Sequence, residues 1–254
     1  MNTIGYLGSA TLALGCAAYA AIASAKRFER IFPAPANDVP GTHGGAAAAR
    51  LPHGVSMTAM ALRQGLPELP QRMRALPLDS RGYPVPVFAQ RDSGVPDYRR
   101  CDSEKLAACV YYKRCCVCGE PVGQYKAFMI DALSAVTRTS LLPPAHIECA
   151  KFVAKACPVI EQRVGVSLVW VTRAYEALQH ESGLIFRMAE AEQTCWYING
   201  RRANRDEVRS SFEDSLPALY DAAHAKSEAA VFELDTMVAR ATRYFPAHSA
   251  AAFR

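Results

Sequence analysis

Four side chains in two close couples carry the chemistry that can be read from this chain. Cys115 and Cys118 form a C-x2-C pair in the run CCVCGEPVG, and His146 and Cys149 form an H-x2-C pair in PPAHIECAKF. Thiolate sulfur and imidazole nitrogen are the ligands zinc takes in tetrahedral sites, and two couples at this spacing supply four of them. Four protein ligands fill the tetrahedron. No position is left for water or substrate, so the Zn2+ expected here is structural rather than catalytic. The competing reading is four ordinary residues, three core thiols and a surface histidine.

The other cysteines fit one ion poorly. Cys157 lies eight residues beyond Cys149, about 12 Å along a helix rising 1.5 Å per residue, too far for both to bind one zinc at about 2.3 Å. Cys116 is beside the first couple and out of its register, while Cys101 and Cys109 fall before it. Cys101, Cys109, Cys116 and Cys157 are therefore expected to be small buried hydrophobes.

The elements that must deliver these ligands can be placed around them. Asp102 or Ser103 caps a helix running to about Arg114, with Leu106, Cys109, Val110 and Lys113 on one side. Gly119 follows Cys118 where a zinc knuckle turns tightly and backbone amides approach the thiolates. Tyr125 to Ile130 reads as a strand, and Thr139 to Pro144 as a loop. The Pro143-Pro144 step then starts a helix on which His146 and Cys149, three apart, share a face. Upstream, LPLDSRGYPVPVFAQ holds Pro77, Pro84 and Pro86, which lack ladder donors, so it reads as an extended or edge segment laid over the core.

Downstream, VSLVWVTR at 166–173 and GLIFRMAE at 183–190 are strands, and TCWYI enters a hairpin turn at Asn199-Gly200 before Arg201 and Arg202. A small antiparallel sheet packed on the zinc helix is expected from them. Asn204 and Glu207 have capping-box spacing, Val208, Phe212, Leu216 and Leu219 follow at helical spacing, and Pro217 must kink or restart that helix. Ser227 caps a last helix whose Val231, Leu234, Val238, Ala241 and Phe245 form a stripe suited to a core, or alternatively to a partner groove.

A knuckle CVCG, an intervening strand or hairpin, and a helix whose first turn brings the other two ligands resembles the treble-clef group of zinc fingers over residues 112–157. More broadly, LPLDSRGYPVP, CCVCGEPVG, PPAHIECAKFVAKACP and WYINGRRANRDEV resemble an uncharacterised family of bacterial and phage-encoded proteins, from Leu76 to Pro246. That likeness implies the ligand choice and the domain limits and supplies no reaction. The fold class expected is α+β, a small zinc-stabilised treble-clef-like core with a short antiparallel sheet and C-terminal helices.

The 254 residues, half of them hydrophobic, suffice for one large domain or two small ones. Three parts are expected: an apolar segment 1–31, a Pro/Gly/Ala-rich linker 32–74, and a zinc-binding α+β domain 75–248. Residues 3–25 are long enough to cross a bilayer but are built largely of Ala, Gly, Ser and Thr, which makes them a weak membrane anchor. Lys26, Arg27 and Arg30 just after the run would keep the following domain in the cytoplasm. Nine cysteines, an odd number in a chain too long to need a disulfide framework, point to metal binding in a reducing cytosol.

The excess of Lys and Arg over Asp and Glu, 29 − 24 = +5, permits nucleic-acid binding without demanding it. Lys113, Arg114, Lys126, Arg138, Lys151 and Lys155 are the candidate contacts, with Tyr111, Tyr112 and Tyr125 placed to stack on bases. The expected role is a cytoplasmic binding module for nucleic acid or a protein, without a small-molecule cofactor; residues 3–25 offer the variant tethered to a membrane. The enzymatic alternatives lack parts. His146-Ile147-Glu148 matches the H-x-E of zinc deaminases, yet the C-x2-C couple precedes it instead of following. An HNH-like nuclease needs a further histidine as base, and residues 130–145 hold none. No phosphate-binding glycine loop occurs.

Overall fold

The computed structural model describes residues 61–157, 165–180 and 183–247. The apolar segment 1–31 and residues 32–60 of the expected linker lie outside the described residues, as does the end of the chain from His248. Among the described residues, no helix is long and apolar enough to cross a membrane.

The last part of the expected linker belongs to the packed structure. The Arg63 amide donates to Gly82 O at 3.0 Å, Leu66 and Leu69 pack on the core, and a single 3-10 turn, Gln71–Met73, buries Met73 almost completely. Apolar side chains at 66, 69 and 73 drive this docking, which composition alone concealed. The proline-rich stretch that follows is not the single extended segment expected: Leu78 bridges Pro84 and Gly82 donates to Asp79 O at 2.9 Å, so the chain doubles back on itself before Val87 and Phe88 donate to Val117 O and Cys116 O beside the first cysteine couple. Strands β1 (Ala89–Asp92) and β2 (Val95–Cys101) then form an antiparallel hairpin, with Ser93 and Gly94 at φ 51° and 87°. The sequence reading did not anticipate this hairpin. Helix α1 (Ser103–Tyr111) starts at Asp102, whose carboxylate accepts from the Lys105 amide at 3.1 Å, and stops short of Arg114.

Strand β3 (Lys126–Asp131) leads directly into α2 (Ala132–Thr137), a buried short helix that the sequence did not announce. Asp131 caps it by accepting from the Ser134 amide at 2.8 Å, and Arg138, in a left-handed conformation, ends it. Within the expected loop 139–144, Thr139–Ser140 form a short strand, β4. Helix α3 (Ile147–Ala156) follows, then β5 (Ser167–Thr172), β6 (Tyr175–His180), β7 (Gly183–Met188), β8 (Gln193–Ile198) and β9 (Arg201–Arg202). The strands make two further antiparallel sheets, in the orders β3-β5-β8-β9 and β4-β7-β6. β8 turns into β9 at Asn199-Gly200, both at positive φ, the backbone a type I′ turn requires.

β5 is buried along its whole length, because the four-stranded sheet separates two cores. Side chains alternate across a strand. Leu168 and Trp170, with Phe128, Ile130 and Trp196, face a core built with the C-terminal helices. Val169 and Val171, with Ala127, Cys195 and Tyr197, face α3 and the cysteine couples. Each tryptophan hides about 150–250 Å², worth about 4–6 kcal/mol as an upper bound. Their indole groups are satisfied too, donating to Ala189 O at 3.0 Å from Trp170 and to Tyr244 O at 2.7 Å from Trp196.

Helices α4 (Arg205–Glu213), α5 (Leu216–His224) and α6 (Glu228–Ala241) complete the first core. Asn204 and Glu207 form the expected capping box, and Pro217 sits in the first turn of α5, so the proline restarts the helix. Ser227 caps α6, accepting from the Ala230 amide at 3.2 Å. The α6 stripe packs inward: Leu234 and Ala241 are buried, and Val231, Val238 and Phe245 lie against the same core. It is therefore core, not a free groove. The described residues form a mixed α+β fold with antiparallel sheets and C-terminal helices.

Candidate metal centre

The first couple sits in a turn held by the backbone on both sides. Val122 donates to Lys113 O at 2.9 Å, Cys115 donates to Glu120 O at 2.7 Å, and Gly119 donates to Cys115 O at 2.9 Å. The turn needs a left-handed residue at its corner, and Gly119 has φ 80°; a Cβ there would come within 3.3 Å of Val87 Cγ2. The second couple is delivered from the other side by β3. Ala127 and Ala145 exchange two backbone hydrogen bonds of 2.9 and 2.8 Å, which fixes Ala145 immediately before His146.

His146 is not on the helix, as the sequence suggested, but is the residue that caps α3, with φ −68° and ψ 152°. The Pro-Pro step lies before the helix, in the loop, because the bridge to Ala127 holds the chain extended there. His146 O still accepts the first helical hydrogen bond, from Ala150 at 2.9 Å. Cys149 lies in the first turn of α3, where the positive end of the helix dipole favours thiolate.

These constraints bring together all four expected ligands. One ligand atom from each of Cys115, Cys118, His146 and Cys149 lies within 4.8 Å of every other. Nδ1 of His146 is 3.3 Å from Cys118 Sγ and 3.9 Å from Cys149 Sγ. A tetrahedron with arms of about 2.3 Å has edges of ~3.8 Å, so the cluster is sized for a tetrahedral ion. The other imidazole nitrogen, Nε2, lies 2.9 Å from Pro121 O. A carbonyl only accepts, so Nε2 carries the proton and Nδ1 presents its lone pair to the sulfurs.

The protons on the thiols are unequally held. Cys115 receives hydrogen bonds from the Cys118 and Cys149 thiols and from the amides of Cys118 and His146, and its thiol is pushed well below the ordinary range although burial opposes this. Donation to Cys115 pushes Cys118 up, and donation to Cys115 and Cys118, with burial, pushes Cys149 up. A divalent cation at the centre would take the place of those two protons.

The remaining cysteines stay out of the cluster. The Cys116 thiol donates to Pro143 O at 3.1 Å, and Cys109 is buried. Two expectations change: Cys101 is exposed at the end of β2, and Cys157 is only half-buried where α3 ends. Glu148 is outside the ligand set; its Oε1 accepts from Arg72 Nε at 3.1 Å, while Arg72 Nη1 donates to Glu120 at 2.6 Å. Arg72 thus ties the cysteine turn to α3 from outside. Sequence reasoning missed it, since its partners are 48 and 76 residues away and one long side chain carries no spacing signal.

The six candidate basic contacts do not form one patch. Lys113 and Arg114 are exposed beside the turn, where Arg114 donates to Gly119 O at 3.1 Å and lies over the Tyr112 ring. Lys126 donates to Gln124 O at the start of β3. Lys151 and Lys155 share a face of α3, with Lys155 and Arg202 both over the Tyr197 ring. Arg138 is on the other side of the central sheet, paired with Glu190 at 2.7 Å. Tyr111 and Tyr112, stacked edge to face at 4.9 Å, are 79% and 63% exposed. Tyr125 carries Arg173 over its ring. No protein-family model, no curated protein and no solved structure matches this chain.

Proposed function

We propose that the chain is a structural-zinc module that binds single-stranded nucleic acid beside its metal centre. The observation that carries the metal is the closure of the cluster: three sulfurs and one imidazole nitrogen within 4.8 Å, three of the four residues buried, leave no fifth direction for a reactant. Zinc fits the donor set best, because thiolates with one imidazole in a tetrahedron are its preferred structural ligands. We read the arrangement as a treble-clef outline; what supports this is a cysteine turn followed by a helix whose start supplies the second couple. Its central hairpin is reduced to the Ala127–Ala145 bridge, with α2 and β4 inserted between.

Tyr111, Tyr112, Lys113 and Arg114 support the nucleic-acid reading. Four consecutive exposed residues, two aromatic and two cationic, are fixed to the metal turn by the Lys113–Val122 hydrogen bond. Exposed rings stack on unpaired bases, at about 1–3 kcal/mol per base, while cations follow the backbone. The chain works in a reducing cytoplasm, which keeps its thiols free. A tether through residues 3–25 would place the same module at a membrane, and detergent-free fractionation of the full chain decides between them.

The test is anisotropy of a labelled single-stranded oligonucleotide, DNA and RNA in turn, titrated with the zinc-loaded full chain. Binding at low salt that falls steeply as salt rises, and weakens about tenfold in Tyr112→Ala with metal content unchanged, is the expected result. No retention of either nucleic acid at low salt would overturn it in favour of a protein partner.

A further inference from the structure

Apart from Ile147 at its start, the residues of α3 that are not buried are Glu148, Lys151 and Lys155, which form one row because positions three and four apart share a helix face. The Asn199-Gly200 turn sits against the far end of this row: a Cβ on Gly200 would come within 3.1 Å of Lys155 O. Strand β9 therefore begins beside α3. Arg202 is paired across the strands with Tyr197, so both side chains point to the α3 side of the sheet, while Arg201 pairs with Glu207. The Tyr197 ring is buried and carries two cations, with Lys155 Nζ 5.6 Å and Arg202 Cζ 4.9 Å from its centroid. The two charges lie no more than about 11 Å apart.

Elsewhere the surface arginines meet carboxylates, as Arg138, Arg173, Arg187 and Arg201 each do with a glutamate. Lys151, Lys155 and Arg202 have no such partner among the described residues. The one acidic side chain on the row, Glu148, is engaged by Arg72, as is Glu120 on the cysteine turn. A single solvated lysine on a helix is ordinary. Three neighbouring unpaired cations from two elements, two of them fixed on a buried ring, make a surface of one sign that attracts anions.

This row is continuous with the exposed rings of the metal turn. Arg114 lies over Tyr112 and donates to Gly119 O; the next residue, Glu120, is bound by Arg72, which reaches Glu148 on α3. Lys155 lies about 10 Å further along the helix axis, and Arg202 beyond it, so the row measures about 20 Å. A stacked strand advances about 3.4 Å per nucleotide. We propose that the strand held at Tyr111 to Arg114 continues over the metal turn along α3, with Lys151, Lys155 and Arg202 contacting the phosphates of about five further nucleotides. The extension rests on the nucleic-acid reading above and gives it a direction: rings take bases at one end, cations take the backbone at the other. Phosphate contacts carry no sequence information, so the α3 end is indifferent to base identity.

The test is anisotropy of labelled oligothymidylate and oligouridylate, of about four and about twelve nucleotides, with the zinc-loaded full chain between about 50 and 200 mM salt. Each phosphate contact on a single strand adds about 0.7 to the slope of log affinity against log salt. The triple variant Lys151→Gln, Lys155→Gln, Arg202→Gln should therefore bind the longer strand about tenfold or more weakly, with a slope shallower by about 2, and lose much less on the shorter one. Tyr112→Ala should weaken binding and leave the slope unchanged. The charge-conserving variant Lys151→Arg, Lys155→Arg, Arg202→Lys should bind as the parent does. An unchanged slope in the glutamine variant, equal loss on both lengths, or equal loss in the charge-conserving variant overturns the extension, while Tyr112-dependent binding by the parent keeps the nucleic-acid reading itself. No binding of either length by the parent overturns both.

Discussion

His146 directs Nε2 at Pro121 O, 2.9 Å away, and thereby holds its opposite nitrogen against the three sulfurs. The proton needed to donate to that carbonyl fixes the tautomer, so the residue following the cysteine turn sets the ligand strength of a histidine on the far side of the site. His146→Ala removes that nitrogen and leaves three sulfurs. We expect the variant to hold zinc at least about 10–100-fold more weakly than the parent, read by competition with a chromogenic chelator.

Metal removal should unfold the region around the turn and α3. Structural zinc contributes an apparent 10–16 kcal/mol, about the whole stability of a domain. Cys118→Ser and Cys149→Ser are each expected to purify without stoichiometric zinc and to melt at much lower temperature, followed by metal analysis and circular dichroism. Full metal content in both would show that the four residues are not one site.

Arg72 bridges Glu120 and Glu148, one on each side of the metal. Three thiolates, one neutral imidazole and Zn2+ sum to a charge of −1, so these carboxylates repel the centre unless countered. Arg72→Gln should leave the zinc content unchanged and speed its transfer to a chelator a few-fold, an effect that shrinks in high salt because the pairs are exposed.

Gly119 needs its positive φ, and Gly119→Ala adds strain of about 1–2 kcal/mol as well as the contact with Val87. The cost should appear only in the metal-bound state, where the turn is closed. Melting temperatures of the zinc-loaded variant and parent are expected to differ, and those of the chelated forms to coincide.

Asp79 gives a pH dependence. Burial alone would raise its carboxyl, but the amides of Tyr83 and Arg81, the Arg81 guanidinium and the Tyr98 hydroxyl outweigh this and hold it below the usual range. A carboxyl lowered in the folded state contributes stability that is present above its unfolded value, about 3.9, and lost as pH falls through the folded one. Asp79→Asn should cost about 1–3 kcal/mol near neutral pH, with the gap to the parent closing below about pH 4 in urea titrations.

The elements legible in the sequence are those fixed by neighbours in the chain. The capping box at Asn204, the turn at Asn199-Gly200, the Ser227 cap and the doubly buried strand at 167–172 each have their cause within a few residues. The β1–β2 hairpin, α2 and β6 were not legible. β1 and β2 are mostly polar and half exposed, and β6 reads YEALQH, so their strand state comes from pairing with a partner rather than from their own composition. The docking of residues 61–74 was likewise hidden, because Leu66, Leu69 and Met73 find their pocket only once the rest has folded.

The spacing of two couples named Cys115, Cys118, His146 and Cys149, because a tetrahedral ion limits which residue types can share it and how closely they must follow one another. What the chain could not announce is how the couples meet. Ala127 pairing with Ala145, Pro121 facing His146 and Arg72 spanning the turn and α3 are contacts between segments far apart in sequence. Their energies exist only when the two-sided central sheet has brought those segments together, so tertiary structure alone decided them.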